Sequence, residues 1–389
     1  MRSRLRALMA AGVVDSFGLS LGWTVFNLHA VTSQGLTAMG AYNAAMLGGV
    51  ALSAPATAYL STRLDGKGLL QSTAVVEAVL RTAMFLLLLE GAPIALTAAV
   101  VTLTNVVAWS GYAGMRAEVA AADSRASALT RYAVCIAAIE AIGAATAALL
   151  PVGPAGTVTG GLLLAVVVFY GASLLPTFLI ARGARVRRAA QLRGSGRLRR
   201  PPARALGTGF FVMMLASGPT LLSVGLAVQL HGRSWVAAAA VAFTAGTLAA
   251  PKLAAVMERL RLPTVTSWSL FGAGMVVGWI IAPWHAGGLL LAQGLAGLSM
   301  TAFEGTMDAK VASDASRGDV TAGLAWAAAA RALGSSAAVG VAPAVIGATS
   351  VGTVSGTACF VLAIVALVPL LLSRVKLGAV PGSAAGHRR

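Results

Sequence analysis

The chain has 389 residues, of which 58% are hydrophobic and only 11% charged, with a formal net charge of +17. About a quarter of the residues in an ordinary soluble domain are charged, so this composition excludes a water-soluble fold. The basic excess does not point to nucleic acid either, because the cations fall between apolar spans and not on a polar, aromatic-studded surface.

A helix needs about 20 apolar residues to cross about 30 Å of hydrocarbon. Cut at glycines, prolines and charged clusters, the sequence leaves twelve blocks of that length: 7–30, 37–60, 69–89, 93–115, 127–151, 157–180, 205–230, 235–257, 264–284, 287–309, 319–347 and 352–373. The first follows a basic flank like that of a signal peptide. Its apolar run contains Asp15 and continues for a full span, so it is expected to be a transmembrane helix and not a cleaved leader.

Positively charged short loops stay in the cytoplasm. Alternate connections carry Arg2, Arg4 and Arg6; Arg63 and Lys67; Arg116 and Arg125; Arg259 and Arg261; Lys310 and Arg317; and Arg374 and Lys376. The opposite side has only Arg233 and Glu90 as charged residues. Both termini are therefore expected in the cytoplasm of a multi-pass plasma-membrane protein. The short outer connections, such as EGAP and APWHAGG, are rich in turn residues.

The one long hydrophilic interruption, Arg182–Arg204, holds nine arginines and no acid near the middle of the chain. The expected division is a six-helix bundle over 1–181, an arginine-rich cytoplasmic linker over 182–204, a second six-helix bundle over 205–376 and a disordered tail over 377–389. The two cysteines, Cys135 and Cys359, lie far apart in apolar blocks, so neither a disulfide framework nor a metal site is indicated.

The flanks of the linker repeat each other. ALSAPATAYLSTRL (51–64) aligns without a gap to TLAAPKLAAVMERL (247–260), which matches Pro55 with Pro251. NLH (27–29) answers QLH (229–231), MRAEVAAADSRA (115–126) answers MDAKVASDASRG (307–318), and EAIGAA (140–145) answers RALGSS (331–336). Four matches in the same order imply two parallel helical repeats.

Six spans, a basic linker and six more spans resemble the major facilitator superfamily, whose halves are related by an axis along the membrane normal. Its signature between helices 2 and 3, G-x-L-x-D-R-x-G-R-K, falls on AYLSTRLDGK, where Arg63 and Lys67 match and Thr62 replaces the acid. The resemblance implies an all-α membrane protein of twelve helices in two pseudo-symmetric six-helix bundles. It also implies alternating access around a midplane site.

Charges inside the spans need a partner or a water-filled cavity. By sequence depth these are Asp15, Glu77, Arg81, Glu140 and Arg331, with Glu304 and Asp308 nearer the inner mouth. Glu77 and Arg81, four residues apart, share a helix face. Either they form a self-neutralising structural pair, or Asp15 joins them and two carboxylates compete for one guanidinium. In the second case desolvation and like charge disfavour two anions, and one carboxylate can take up and release a proton. Asp15, Glu77 and Glu140 are the candidates for that role.

The repeat places opposite charges at equivalent positions: Glu140 and Arg331, Arg116 and Asp308, Glu118 and Lys310. The last two pairs, with Arg63, Lys67, Glu258 and Arg259, are candidates for a cytoplasmic gate, or else snorkel at the interface. Asn27, Arg81, Asn105, Gln229, Gln293, Glu304, Arg331, Trp23, Trp109 and Trp326 are candidates for a substrate cavity. The amides can instead bridge helices, which is the commoner role of such residues. Trp235, Trp279 and Trp284 look like membrane-interface residues.

No H-E-x-x-H, nucleophile elbow or phosphate loop appears, and neither an enzyme nor a cofactor is indicated. The expected function is proton-coupled export of a small amphipathic drug or metabolite by a monomer, with protons and the lipid bilayer as the other partners. Uptake of a small organic anion, clamped by Arg81 or Arg331, is one alternative. A non-transporting receptor on the same fold is another.

Overall fold

The structure is a computed structural model that describes residues 2–122, 126–186, 203–314 and 320–378. Before the linker run α1 (Arg2–Ser33), α2 (Gly35–Arg63), α3 (Gly66–Leu89), α4 (Ile94–Ala122), α5 (Ala126–Leu149), α6 (Gly160–Ala172) and α7 (Leu175–Ile180). After it come α8 (Ala203–Ala216), α9 (Gly218–Leu221), α10 (Ser223–His231), α11 (Ser234–Arg259), α12 (Thr264–Val277), α13 (Ala286–Asp314), α14 (Val320–Ala348) and α15 (Val351–Gly378). No strand occurs among the described residues. Each apolar block read from the sequence falls on one helix, or on helices interrupted by one or two residues.

Among the described residues nine helices are long and apolar enough to cross a membrane. Three further apolar helices, Val134–Leu149, Ala203–Ala216 and Thr264–Ile280, are shorter. Of the expected linker only 182–186 and 203–204 are described, and of the expected tail only 377–378.

Local chemistry sets the helix ends and breaks. Asp65 caps α3 by accepting from Gly68 N at 2.8 Å, which satisfies one of the orphan amides of a helix start. Pro55 in α2 and Pro251 in α11, aligned by the repeat, both sit inside helices. A proline inside a spanning helix is tolerated because neighbouring groups satisfy the backbone it frees. α6 and α7 are separated at Ser173–Leu174, just ahead of Pro176.

The packing of the halves differs from end to end. At the end remote from the N-terminus one apolar core is shared: Val25, Phe26, Met39 and Tyr42 of the first half cluster with Leu222, Leu226, Trp279 and Val339 of the second. Toward the N-terminal end the cores are separate, one around Leu8, Leu70, Met115 and Tyr132 and the other around Met213, Trp268, Phe303 and Met307. Between them α2 packs along α14 and α5 along α11. Trp279, expected at the membrane interface, is instead fully buried in the shared core, where its Nε1 donates to Thr220 Oγ1 at 3.2 Å. Gly278 brings this turn against the Ala292 backbone, and the indole is directed inward. Trp284 is exposed.

Candidate functional site

The helices of the first half converge on Arg81. Its side chain is 1% exposed and is held by four groups from three helical segments. Nη2 donates to Glu77 Oε1 and, at 2.9 Å, to Asp15 Oδ1. Nη1 donates to the Tyr170 carbonyl at 2.9 Å and to Ser173 Oγ at 3.1 Å. The guanidinium carbon also lies 4.8 Å from the centroid of the Tyr170 ring, within cation–π range.

The interruption between α6 and α7 supplies the third side. Leu174 N turns back to the Gly171 carbonyl instead of the Tyr170 carbonyl. The Tyr170 oxygen therefore leaves the helical ladder and is available to the arginine. Glycines on α1 let the helices approach: a Cβ on Gly18 would overlap the Ser173 side chain, and one on Gly22 would overlap the Tyr170 ring. The sequence contained a cue for this break in Pro176, but the rotation that directs Tyr170 and Ser173 at Arg81 has no sequence signature.

Asp15 and Glu77 differ in access. The Asp15 side chain is 28% exposed, whereas that of Glu77 is 4% exposed. Both line a small cavity shared with Ser16, Thr73, Tyr132 and Thr177. Tyr132 stacks on Tyr112 with ring centroids 6.2 Å apart, and Trp109 meets Tyr112 edge-on at 5.5 Å. Glu140, partly exposed on α5, accepts from Ser20 Oγ through its backbone carbonyl, which ties α5 to α1.

In the second half one arginine again serves two acids. Arg331 Nη1 donates to Asp308 Oδ1 at 2.6 Å, and its Nε lies 3.9 Å from Glu304 Oε1. The guanidinium side chain is 10% exposed while both carboxylate side chains are 40% exposed. Arg331 and Glu140, equivalent in the repeat, are not paired with each other; Arg331 is engaged by acids of its own half, and Glu140 is tied to α1 through its backbone carbonyl.

Other expected cavity residues divide by burial. Asn27 is buried and accepts from Asn43 Nδ2 at 2.8 Å, while its own Nδ2 donates to the Trp23 carbonyl at 3.0 Å. Asn43 was not singled out in the sequence, although a lone amide in an apolar helix was its signal. Trp23 stacks on Phe26 with centroids 5.3 Å apart. Asn105 donates to the Val101 carbonyl of its own helix, α4, and its Cβ lies against Gly49 of α2. Gln293 is buried with no partner for its Nε2 among the described residues. Gln229, Trp109 and Trp326 are exposed.

The residues read as a gate do not meet across the halves. Glu118, 1% exposed, accepts from Arg185 N on both carboxylate oxygens at 2.9 Å and from Val186 N at 2.8 Å, with Arg4 Nη2 at 3.8 Å. It thereby fastens the start of the linker to α4. Lys310 pairs with Asp314 at 2.8 Å, Arg116 lies over the Tyr112 ring and Arg63 over the Tyr59 ring. Lys67, Glu258 and Arg259 are exposed.

This arrangement is similar to that of known transporters. The nucleoside transporter NupG superposes with a TM-score of 0.70 at 11% identity, over 95% of this chain and 99% of that one. A D-xylose-proton symporter does so at 0.67 and 11%, over 93% and 96%. A human organic anion transporter does so at 0.60 and 15%, over 93% and 99%. The chain has the fold of these transporters. No protein-family model matches the sequence, and no curated protein does. At these identities the likeness is one of fold, and the Arg81 and Arg331 clusters stand on this chain's own side chains.

Proposed function

We propose that the chain is a monomeric secondary transporter of the plasma membrane that moves a small amphipathic organic molecule by alternating access, in exchange for protons. The observation that carries this reading is the Asp15–Arg81–Glu77 cluster. Two carboxylates facing one guanidinium leave one negative charge inside the membrane, and a single proton balances it. With the termini cytoplasmic, the core shared by the halves lies at the outer end and their separate cores lie at the cytoplasmic end. A substrate would enter from the cytoplasmic side, and protonation of Asp15 or Glu77 would shift the balance between the two conformations.

The access of the charged groups favours a neutral or cationic substrate over an anion. Arg81 and Arg331 are both buried and both committed to acids, while the side chains of Asp15, Glu304 and Asp308 are partly exposed. An anion clamp would require the reverse. When the outer side opens, Arg116 with Asp308 and Glu118 with Lys310 would close the cytoplasmic mouth. That a chain of the same fold is a D-xylose-proton symporter is compatible with proton coupling.

The test is flux into proteoliposomes under an imposed pH gradient, with a panel of amphipathic cations, neutral compounds and organic anions. Gradient-driven flux of a cation or neutral compound, abolished by Asp15→Asn or Glu77→Gln, is expected. Undiminished coupling in both variants and in Glu140→Gln would overturn the assignment of the proton site. Binding without flux would make the chain a receptor.

A further inference from the structure

We propose that the cavity between α1, α3, α4 and α7 is a binding site for one sodium-sized monovalent cation. The cavity has a volume of about 20 Å³, enough for roughly one water-sized particle. The polar side chains lining it carry oxygen: Asp15, Ser16, Thr73, Glu77 and Thr177, with Tyr112 and Tyr132. Hard cations are bound by such oxygen sets.

Three observations separate this site from a mere acidic cluster. Thr177 is 5% exposed, and its Oγ1 has no partner among the described residues although it lines the cavity. Thr73 Oγ1 donates its proton to the Leu69 carbonyl at 2.8 Å, so toward the cavity it can offer only lone pairs. Gly111 of α4 keeps the space open: a Cβ there would lie 3.0 Å from Thr73 Oγ1 and 4.0 Å from Glu77 Oε2.

Charge selects the valence. Arg81 engages Asp15 Oδ1 and Glu77 Oε1. The side-chain hydrogen bonds these two carboxylates make among the described residues run to Arg81 through Asp15 Oδ1 and Glu77 Oε1, not through Asp15 Oδ2 or Glu77 Oε2. One uncompensated negative charge beside a space of this size suits a single dehydrated monovalent ion. Mg²⁺ keeps several waters when bound, for which there is no room. The ion would occupy the same carboxylates to which the coupling proton is assigned, so the two would compete; the site itself does not depend on the transport reading.

The full-length protein in detergent provides a test that needs no substrate. The melting midpoint is followed at fixed pH and ionic strength while choline chloride is replaced by NaCl, and in parallel by KCl. A saturable rise specific to sodium is expected, because a ligand bound only by the native state stabilises it. Thr177→Val should raise the half-saturating sodium concentration by about tenfold, the worth of one hydrogen-bond-strength contact to a charge. Thr177→Ser, which restores the oxygen, should recover it. Equal midpoints in sodium and choline would leave an ordered water there and overturn the proposal, as would an unchanged half-saturation in Thr177→Val. Sodium-specific stabilisation without pH-driven flux would retain this site and remove the coupling reading; flux without a sodium effect would do the opposite.

Discussion

Arg233 lies over the last turn of α5, where its Nε donates to the Ala148 carbonyl at 3.0 Å. The same guanidinium reaches the Ala147 carbonyl at 2.8 Å and the Gly156 carbonyl at 3.1 Å. It thus supplies donors to carbonyls that the helix end leaves unsatisfied, and its charge suits the negative pole of α5. The donor belongs to the second half and the acceptors to the first, so the contact fastens the halves at the end where they share a core.

Arg233→Ala is expected to weaken that closure by about 1–2 kcal/mol, roughly a tenfold change in the open fraction. Spin labels at Ser33 and His285, both exposed at this end, should show a longer, broader distance distribution in the variant. Arg233→Lys should fall between, because an ammonium lacks the planar fork that spans several carbonyls. An unchanged distribution in Arg233→Ala would mean that the apolar core alone holds the end shut.

Helix packing in the second half rests on particular glycines. A Cβ on Gly297 of α13 would overlap the Phe243 carbonyl of α11, and one on Gly246 would overlap the Gly294 carbonyl. Backbone cannot yield as a flexible side chain can, so Gly297→Ala should destabilise by about 1–3 kcal/mol. Gly305 on the same helix meets nothing within 4 Å of an added Cβ, and Gly305→Ala should leave the melting midpoint unchanged or raise it. Thermal melts of the two variants side by side check this.

The carboxylate of Glu118 fixes the first residues of the linker through the amides of Arg185 and Val186. Removing it in Glu118→Ala leaves those donors without their acceptor, at a cost of about 1–3 kcal/mol. Tryptic cleavage after Arg182 and Arg185, followed by mass spectrometry, should accelerate by about tenfold, since cleavage tracks the opened population. Equal rates in the parent and the variant would show that other contacts hold the segment.

Much of the fold was legible in the residues. Apolar length located the helices, and the alignment of Pro55 with Pro251 placed two in-helix prolines at matching points of the halves. The i,i+4 spacing of Glu77 and Arg81 identified two members of the polar cluster, and the depth of Asp15 identified a third. Tyr170 and Ser173 were not legible, because a backbone carbonyl released by a helix break carries no residue-type signal. Opposite charges at Glu140 and Arg331 suggested attraction across the repeat axis. Repeat equivalence fixes position within a half but not the distance between halves, and Arg331 has Asp308 within reach on the neighbouring helix. Glu118 illustrates the same limit. Its charge was visible, but its partners are main-chain amides that any residues in the linker would present.

The Arg81 cluster makes a prediction about stability that is separate from transport. Breaking a buried ion pair by removing one partner typically costs about 3–5 kcal/mol, because the remaining charge is left uncompensated, whereas replacing the whole set by apolar groups can be neutral. Arg81→Leu strands Glu77, which has almost no access to water, and leaves the Tyr170 carbonyl with Ser173 Oγ, at 3.1 Å, in place of its charged donor. That variant should melt well below the parent or fail to accumulate. Adding Glu77→Leu removes the buried anion, and the double variant should regain most of the lost stability even though it is expected to be inactive in proton-coupled flux. Arg81→Leu with Asp15→Asn should recover less, because Asp15 is the more accessible acid and Glu77 stays enclosed without its guanidinium partner. Melting midpoints of the four proteins decide the matter: a double variant with Glu77→Leu no more stable than Arg81→Leu would show that Arg81 contributes through Tyr170 and Ser173 and not through charge balance.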